Sequence, residues 1–210
     1  AHSMNVPSLK VLDRVGFSDA LNTAARLLGI PEREMASRNL VRKYPVGLGI
    51  VEAAPIEMAQ AFGTFANQGR RVEPIAIRYI EDRNGRIVLE PEAELRKEQQ
   101  ERSEEMQVLS PEAAYVMTDL LQSTVETGTL RYAQNVAGGF DQPTGGKTGT
   151  TQNWADAWTV GFTPYSTTAI WMGFDRGGGN SLGVNQTGAV TTGPVWGKYM
   201  KEIHEGLPRR

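Results

Sequence analysis

A glycine-flanked lysine followed by two threonines is the densest group of chemically useful side chains in the sequence. Residues 145–150 read Gly-Gly-Lys-Thr-Gly-Thr, so Lys147 lies beside small residues and Thr148 and Thr150 occupy alternate positions. In an extended segment, alternate side chains share one face. Two hydroxyls beside a cation can bind a carboxylate and stabilise developing negative charge, although strand propensity and a solvated lysine would produce the same pattern. Gly149 leaves room for a ligand backbone to approach and pair with the strand.

The same residues allow a second interpretation, a phosphate-binding P-loop. Gly146, Lys147 and Thr148 match the last three positions of that motif. The motif also requires a glycine at position 141, which is Asp141, and a helix directly after the loop. Since the residues after Thr150 continue into a strand-like pattern, the sequence disfavours a P-loop.

The amino-acid composition excludes several kinds of catalytic and binding site. The 210 residues include no cysteine and two histidines, which excludes disulfides, thiolate nucleophiles and clustered Cys/His metal centres. The 22 basic and 24 acidic side chains nearly balance, so no basic field favours nucleic acid. We therefore expect no cofactor and no metal, and a globular chain that works through hydroxyls, lysines, amides or carboxylates. His2 beside Ser3 could form a serine–histidine couple, but no third orienting group can be named.

The remaining pattern predicts an α+β fold, with helices first, an antiparallel sheet late and a helix to cover it. The short connection at 163–166 can join only antiparallel strands, because parallel neighbours need a long crossover. The predicted elements are a helix closed by Gly16, a helix capped by Ser18 and stopped by Gly29, a helix with Pro55 in its first turn, a β-like segment over 72–80 with a hairpin at 82–86, a helix capped by Ser110, strands at 147–151, 157–162 and 167–174, a glycine-rich loop from Gly177, and a helix with Pro194 in its first turn.

Two of these helices carry apolar residues at helical spacing, which we expect to form buried stripes. Residues 90–107 are instead dense in Glu, Gln, Arg and Lys, which predicts a charged surface insertion, as a solvated loop or a frayed helix. The four tryptophans are interpreted as core residues, and Asp156 as a residue that either orients a neighbouring loop or caps a turn. The predicted stripes are Ile56, Met58, Ala59, Phe62, Phe65 and Ala66 in the first helix, and Trp196, Tyr199, Met200 and Ile203 in the last.

Longer stretches around the lysine resemble class A penicillin-binding proteins. Lys-Thr-Gly is a strand motif of serine acyl transferases, where it accompanies Ser-x-x-Lys and Ser-x-Asn elements. Ser3-Met4-Asn5 before Val6-Pro7 is similar to the Ser-x-Asn element and precedes the strand motif, as in the family. The likeness extends over nearly the whole chain except 90–107, and it is carried by residues 146–164, 47–69, 117–128 and 193–196.

The resemblance implies a β-lactamase/transpeptidase-like fold and a role for each motif residue. Ser3 would share a proton relay with Lys147, and Asn5 would hold the substrate amide. Thr150 would give one oxyanion-hole N–H, and Thr148, Gly149 and Thr150 would bind the substrate. The implied activity is that of a peptidoglycan D,D-transpeptidase, which crosslinks D-Ala-D-Ala stem peptides through an acyl-enzyme and is acylated by β-lactams.

The nucleophile of that family is missing from this sequence. No serine is followed by a lysine three positions later, and the nearest pattern, from Thr144 to Lys147, lies inside the strand motif. Because the family places Ser-x-x-Lys upstream of Ser-x-Asn, we interpret 1–210 as the C-terminal part of a transpeptidase domain. The fold would be incomplete in this chain, and the chain alone would be inactive.

The resemblance also implies partners and a location. The partners are the peptidoglycan stem peptide, β-lactams and the upstream segment that carries the nucleophile, with no nucleic acid. The family implies an upstream glycosyltransferase domain and a membrane anchor, hence the extracytoplasmic face of the bacterial cytoplasmic membrane. Two alternatives stay open: a non-catalytic binding or scaffolding fragment of the same fold, and a related serine β-lactamase or carboxypeptidase.

Overall fold

The computed structural model describes residues 2–175 and 179–210. Gly177 and Gly178, which begin the glycine-rich loop expected from the sequence, lie outside these ranges. The described elements are α1 (Asn5–Val15), α2 (Phe17–Leu28), α3 (Glu32–Met35), α4 (Pro55–Ala66), β1 (Ile80–Glu81), β2 (Ile87–Leu89), α5 (Pro91–Glu101), α6 (Pro111–Glu126), α7 (Arg131–Val136), β3 (Gly145–Thr150), β4 (Ala157–Phe162), β5 (Thr167–Met172) and α8 (Thr192–Ile203), with 3₁₀ turns at Tyr44–Leu48 and Gln152–Trp154.

The main sheet has three antiparallel strands in the order β3-β4-β5. Thr150 lies opposite Ala157, and Ala157 lies opposite Met172 on the other side. This confirms the antiparallel pairing that the short turn at 163–166 predicts. The last strand ends at Met172, two residues earlier than expected.

Helices pack on the sheet through two apolar clusters. One joins Val125 of α6, Leu130 and Ala133 to Trp196 and Met200 of α8. The other joins α4, α6 and β4, and it consists of Phe65, Leu121 and Phe162. These clusters cover the N-terminal end of β3, where Gly145 and Gly146 are buried. The strand that carries Lys147 therefore packs against a dense interior.

Glycines in the sheet permit this close packing. A Cβ on Gly146 would lie 2.7 Å from Leu130 Cδ1, and one on Gly161 would lie 2.4 Å from Trp196 Cζ2. Both distances are shorter than any ordinary carbon–carbon contact. The glycine before Lys147 therefore has a packing function in addition to any chemistry at the site.

The first two helices meet at a single glycine. Gly16 ends α1 and precedes α2 with a φ of 88°, and the N–H of Gly16 donates to Leu12 O at 2.8 Å. The prediction that Ser18 caps α2 is wrong, because Gly16 turns the chain so tightly that Ser18 is already in the first helical turn. Gly29 ends α2 in the left-handed conformation, as predicted.

Helices α4, α6 and α8 begin with the capping residue or early proline that the sequence predicts. Ser110 Oγ accepts a hydrogen bond from the N–H of Ala113 at 3.2 Å, which confirms Ser110 as the N-cap of α6. Pro55 is the first residue of α4, and Pro194 lies in the first turn of α8.

The predicted buried stripes are wrong at several positions. Ile56 is 55% exposed and Tyr199 is 48% exposed, whereas Trp196 and Met200 are fully buried. Ala61 and Thr64 are buried although the stripe omitted them. The reason is that α4 contacts α2, α6, β4 and β5 together, so small residues on several sides of this helix are covered.

A small hairpin replaces most of the predicted β-segment over 72–80. Strand β1 contains only Ile80–Glu81 and pairs antiparallel with β2, which confirms the hairpin signal. Asp82 sets the turn, since its Oδ1 accepts from the N–H of Asn84 at 2.8 Å and of Arg86 at 3.0 Å. Every residue of both strands is exposed.

The charged segment 90–107 forms a helix on the surface. Helix α5 has no buried residue, and Glu92 pairs with Arg78 at 2.8 Å and Arg96 at 2.6 Å. Met106 nevertheless is only 2% exposed, so the end of the segment is anchored in the interior. Composition indicates the solvated character of α5 but does not reveal this anchor.

A buried hydrogen-bond chain connects the end of α8 to the β4–β5 turn. His204 Nδ1 lies 2.6 Å from Met200 O, and because a carbonyl only accepts, Nδ1 carries the hydrogen. Thr163 Oγ1 lies 2.7 Å from His204 Nε2 and accepts from the N–H of Tyr165 at 3.1 Å. The hydroxyl hydrogen of Thr163 therefore points to Nε2.

Replacing Thr163 with valine should destabilise the fold. The change keeps the side-chain shape but leaves His204 Nε2 buried without its donor, which costs about 1–3 kcal/mol. Urea denaturation measures the loss. Thr127→Val, at an exposed helix end, should change stability by less than about 0.5 kcal/mol, and equal losses for the two variants would contradict this role of Thr163.

Candidate active site

Strand β3 presents a free backbone edge beside the site. The N–H of Thr151 donates to Asp156 O at 3.1 Å, in register with the pairing of Thr150 and Ala157. Successive residues of an antiparallel ladder direct their backbone groups to opposite sides. The odd-numbered residues of β3 therefore face β4, and the even-numbered residues 146, 148 and 150 face outward, where no strand of the described ranges pairs with them.

Two contacts agree with this assignment of the edges. Thr124 Oγ1, on α6, donates to the carbonyl of Gly146, and Lys147 Nζ donates to the carbonyl of Thr148 at 2.7 Å. Helix α6 thus covers the free edge at Gly146, and the Lys147 ammonium covers the carbonyl of Thr148, while no strand of the described residues pairs with the edge at Thr150. The alternation also places the N–H of Thr150 on this open edge.

Lys147 meets the N-terminal motif at this edge. Its Nζ donates a hydrogen bond to Ser3 Oγ, across 144 positions of sequence. Burial of the ammonium group lowers the pKa of Lys147 from its ordinary value of 10.5, because desolvation disfavours the charged form. The structure therefore brings together the two residues for which the family resemblance implies a shared proton relay.

The N-terminal motif itself is a turn that leads into α1. Ser3 has a φ of 49°, in the left-handed region that few serines adopt, and Asn5 is the first residue of α1. Both side chains are exposed. The turn at Ser3 lets the chain present its hydroxyl to Lys147 directly before the helix begins.

The two threonines of the strand motif have different surroundings. Thr148 is buried and its hydroxyl donates to Thr129 Oγ1 at 2.7 Å. Thr150 is exposed, and its hydroxyl oxygen accepts from the N–H of Gly188 at 3.1 Å. Among residues 2–175 and 179–210 no acceptor engages the hydroxyl hydrogen of Thr150, which leaves it available to a ligand, whereas that of Thr148 is already engaged.

Gly149 relieves a tight contact with its neighbour in the sheet. A Cβ there would lie 3.2 Å from the Cβ of Trp158, the residue directly across the strand pair. Its glycine character thus serves sheet packing, and the ligand approach expected from the sequence would come from the opposite, open edge.

Sequence reasoning missed two residues that hold the strand motif. Thr129 follows the end of α6 and accepts the Thr148 hydroxyl, and Gly188 lies so close to the sheet that a Cβ would be 2.2 Å from Trp158 O. Neither position has a signal in the sequence pattern. Gly188 contributes only backbone groups, and the interaction of Thr129 depends on tertiary structure.

Other classes of site are not formed by the described residues. In ranges 2–175 and 179–210, no group of three or more His, Cys, Asp or Glu side chains is placed to hold a metal ion. None of the helices in these ranges combines the length and apolar composition needed to cross a bilayer.

Fold and site together define a transpeptidase domain of the penicillin-binding type. Residues 7–190 match the family model described as the penicillin binding protein transpeptidase domain. The chain belongs to this family, which confirms the resemblance carried by the sequence motifs.

Named relatives support the assignment. Penicillin-binding protein 1A of Aquifex aeolicus is 34% identical over 210 residues, which cover 99% of this chain and 25% of that protein. Penicillin-binding protein 1A of Neisseria gonorrhoeae is 34% identical over 204 residues, which cover 97% of this chain and 24% of that protein. The chain thus spans about a quarter of the length of these relatives.

Solved structures share the fold at low identity. The crystal structure of penicillin-binding protein 1A from Haemophilus influenzae has a TM-score of 0.83 and 24% identity, over 100% of this chain and 34% of that one. PonA1 of Mycobacterium tuberculosis in complex with penicillin V has a TM-score of 0.64 and 23% identity, over 92% of this chain and 50% of that one. These likenesses confirm the α+β architecture predicted from the sequence.

Burial of Lys147 makes stability depend on pH in a defined direction. Between its lowered pKa and the ordinary value of 10.5, the folded chain binds fewer protons than the unfolded chain. The unfolding free energy contributed by this residue therefore rises with pH across that window. Measured by denaturation at a series of pH values, wild type should gain stability relative to Lys147→Met as pH rises, and parallel profiles would contradict the desolvation.

Proposed function

We propose that this chain supplies the C-terminal half of the active site of a peptidoglycan D,D-transpeptidase. The observation that carries the proposal is the hydrogen bond from Lys147 to Ser3 at the open edge of β3. It joins two motifs that serine acyl transferases of this kind use together. The nucleophilic serine and its lysine belong to an upstream segment of the same protein.

In the proposed reaction, the upstream serine passes its proton to the lysine of its own Ser-x-x-Lys element and attacks the carbonyl of the penultimate D-alanine. The oxygen of that carbonyl becomes negative in the tetrahedral intermediate and accepts from the N–H of Thr150, which lies on the open edge. Preorganised donors of this type stabilise the transition state more than the ground state. The nucleophile's own N–H is the second donor.

Ser3 and Lys147 then transfer the proton that the leaving group needs. Because Lys147 donates to Ser3 Oγ, the hydroxyl hydrogen of Ser3 is free to move to the departing amine. Lys147, whose pKa is lowered by burial, can replace that proton on Ser3. The C–N bond breaks and D-alanine leaves. The amine of a neighbouring stem peptide later attacks the acyl-enzyme ester and forms the crosslink. The proton of that amine returns to Lys147 through Ser3, and the upstream lysine reprotonates the released serine.

The terminal carboxylate of the substrate would bind at the hydroxyl of Thr150. A carboxylate only accepts hydrogen bonds, so it needs a hydroxyl whose hydrogen is free. Thr150 satisfies this condition because its oxygen receives the N–H of Gly188. Asn5, at the start of α1, is assigned to the substrate amide by its place in the Ser-x-Asn motif.

The proposal extends to ligands and location. β-Lactams would acylate the same serine, and a structural neighbour is described in complex with penicillin V. The upstream segment, a glycosyltransferase domain and a membrane anchor would complete the protein on the extracytoplasmic face of the bacterial cytoplasmic membrane.

Loss of the Lys147 amine should suppress acylation. In the polypeptide extended upstream through its Ser-x-x-Lys segment, Lys147→Met should lower the rate of labelling by fluorescent penicillin by about 100-fold or more, as for loss of a proton-transfer group. Lys198→Met, at an exposed position of α8, is the matched control and should label like wild type.

The same experiment separates the alternative functions. A folded wild-type protein that takes no label would overturn the transpeptidase proposal and favour a binding or scaffolding fragment. Rapid turnover of penicillin, with no lasting adduct, would favour a serine β-lactamase.

The free hydroxyl of Thr150 should contribute to binding of the carboxylate. Thr150→Val removes a hydrogen bond to a charged group, worth about 1.5–3 kcal/mol, so penicillin affinity before acylation should fall by about 10- to 100-fold. Thr150→Ser keeps the hydroxyl and should retain most of the affinity. Stopped-flow acylation at a series of penicillin concentrations gives this affinity, and equal values for both variants would exclude the hydroxyl from carboxylate binding.

A further inference from the structure

The turn between β3 and β4 is closed by one aspartate. Thr151 Oγ1 donates to Asp156 Oδ2 at 2.9 Å, and the N–H of Asp156 donates back to Thr151 Oγ1 at 2.8 Å. The other carboxylate oxygen, Oδ1, accepts from the indole Nε1 of Trp171 at 2.9 Å. Since Trp171 lies on β5, a single carboxylate ties the turn to itself and to the far strand of the sheet.

This turn contains unfavourable backbone conformations. Asn153 and Trp154 are consecutive and have φ values of 58° and 52°. Left-handed conformations in residues other than glycine cost about 1–3 kcal/mol each and persist only where the surrounding contacts enforce them. The contacts that enforce them here are those of Asp156 and a hydrogen bond from the N–H of Leu182 to Trp154 O at 2.8 Å.

The turn directly follows the residue that would stabilise the oxyanion. The N–H of Thr150 points to the open edge because the residues on either side of it pair with β4. On one side Gly149 pairs with Trp158, and on the other side Thr151 pairs with Asp156. Gly149 restrains the backbone weakly, since it has no side chain. The direction of the Thr150 N–H therefore depends strongly on the pair that Asp156 closes.

We propose that Asp156 is a positioning residue for acyl transfer, whose carboxylate holds the β3–β4 turn so that the Thr150 N–H stays aimed at the oxyanion. This inference rests on the function proposed above. The oxyanion exists only in the intermediate and its flanking transition states. Loss of the carboxylate should consequently slow acylation and leave the preceding noncovalent binding of penicillin nearly unchanged.

Asp156→Asn is the central variant, made in the polypeptide extended through its Ser-x-x-Lys segment. The amide oxygen can still accept from Trp171, but the amide nitrogen cannot accept from the Thr151 hydroxyl. The first-order acylation rate constant should fall by about 10- to 100-fold, the scale of a misplaced catalytic group. The penicillin dissociation constant before acylation should change by less than about 2-fold.

Two further variants show which interaction matters. Trp171→Phe removes the indole donor together with part of the ring that packs against Trp158, and it leaves the bond between Asp156 and Thr151, so it should slow acylation by less than Asp156→Asn does. Asp141→Asn is the matched control, because Asp141 is an exposed carboxylate paired with Arg209 at 2.8 Å. It should acylate at the wild-type rate.

A rescue experiment separates positioning from general destabilisation. Asn153→Gly relieves the left-handed strain at residue 153 and leaves that at Trp154, so combined with Asp156→Asn it should recover part of the acylation rate constant. Alone, Asn153→Gly should leave that rate constant unchanged. Thermal denaturation of each variant confirms that folded proteins are compared.

The outcomes distinguish this inference from the function on which it rests. If folded wild type is not acylated, the proposed function fails. If wild type is acylated and Asp156→Asn has the same rate constant, the positioning role of Asp156 is overturned. It is also overturned if the rate constant and the penicillin affinity fall together without rescue by Asn153→Gly, since that result means a general loss of structure.

Discussion

The alternation of backbone hydrogen bonding along β3 is the constraint on which the site depends. Odd-numbered residues use their N–H and C=O groups on β4, which leaves those of residues 146, 148 and 150 for other partners. Thr124 of α6 donates to the carbonyl of Gly146, and the Lys147 ammonium donates to the carbonyl of Thr148. The outward groups of Thr150 have no partner strand among residues 2–175 and 179–210. A shift of one residue in the pairing of β3 with β4 would exchange these assignments and remove the open N–H from the site.

The hydrophobic core packs directly against the sheet and holds β3 in place. Leu130 fills the space left by Gly146, and Trp196 fills that left by Gly161, so side chains of the core lie directly against the sheet backbone. Because the interior is packed at crystal-like density, these contacts resist displacement. The motif lysine therefore extends from a fixed support, and its reach to Ser3 does not require rearrangement of the sheet.

Local patterns predicted a large part of this arrangement. Pro55, Ser110 and Pro194 indicated helix starts, the short turn at 163–166 indicated antiparallel strands, and motif order indicated that Ser3 belongs with Lys147. The failures have a common physical origin in tertiary contacts. Gly16 is the N-cap of α2, so Ser18 lies within the helix, and Ile56 of α4 is exposed to solvent. Thr129 was missed because its link to Thr148 spans 19 positions and depends on how α6 ends.

Gly188 limits how sequence change can alter this site. Its N–H donates to Thr150 Oγ1, and its carbonyl accepts from the N–H of Gly193 at 2.7 Å, so one short segment connects Thr150 to the start of α8. Any side chain at this position would collide with the carbonyls of Gly149 and Trp158. Both connections are made by the backbone and cannot be tuned by substituting residue 188. Substitutions that change the surroundings of Thr150 must therefore act at neighbouring positions, because residue 188 has no room for a side chain.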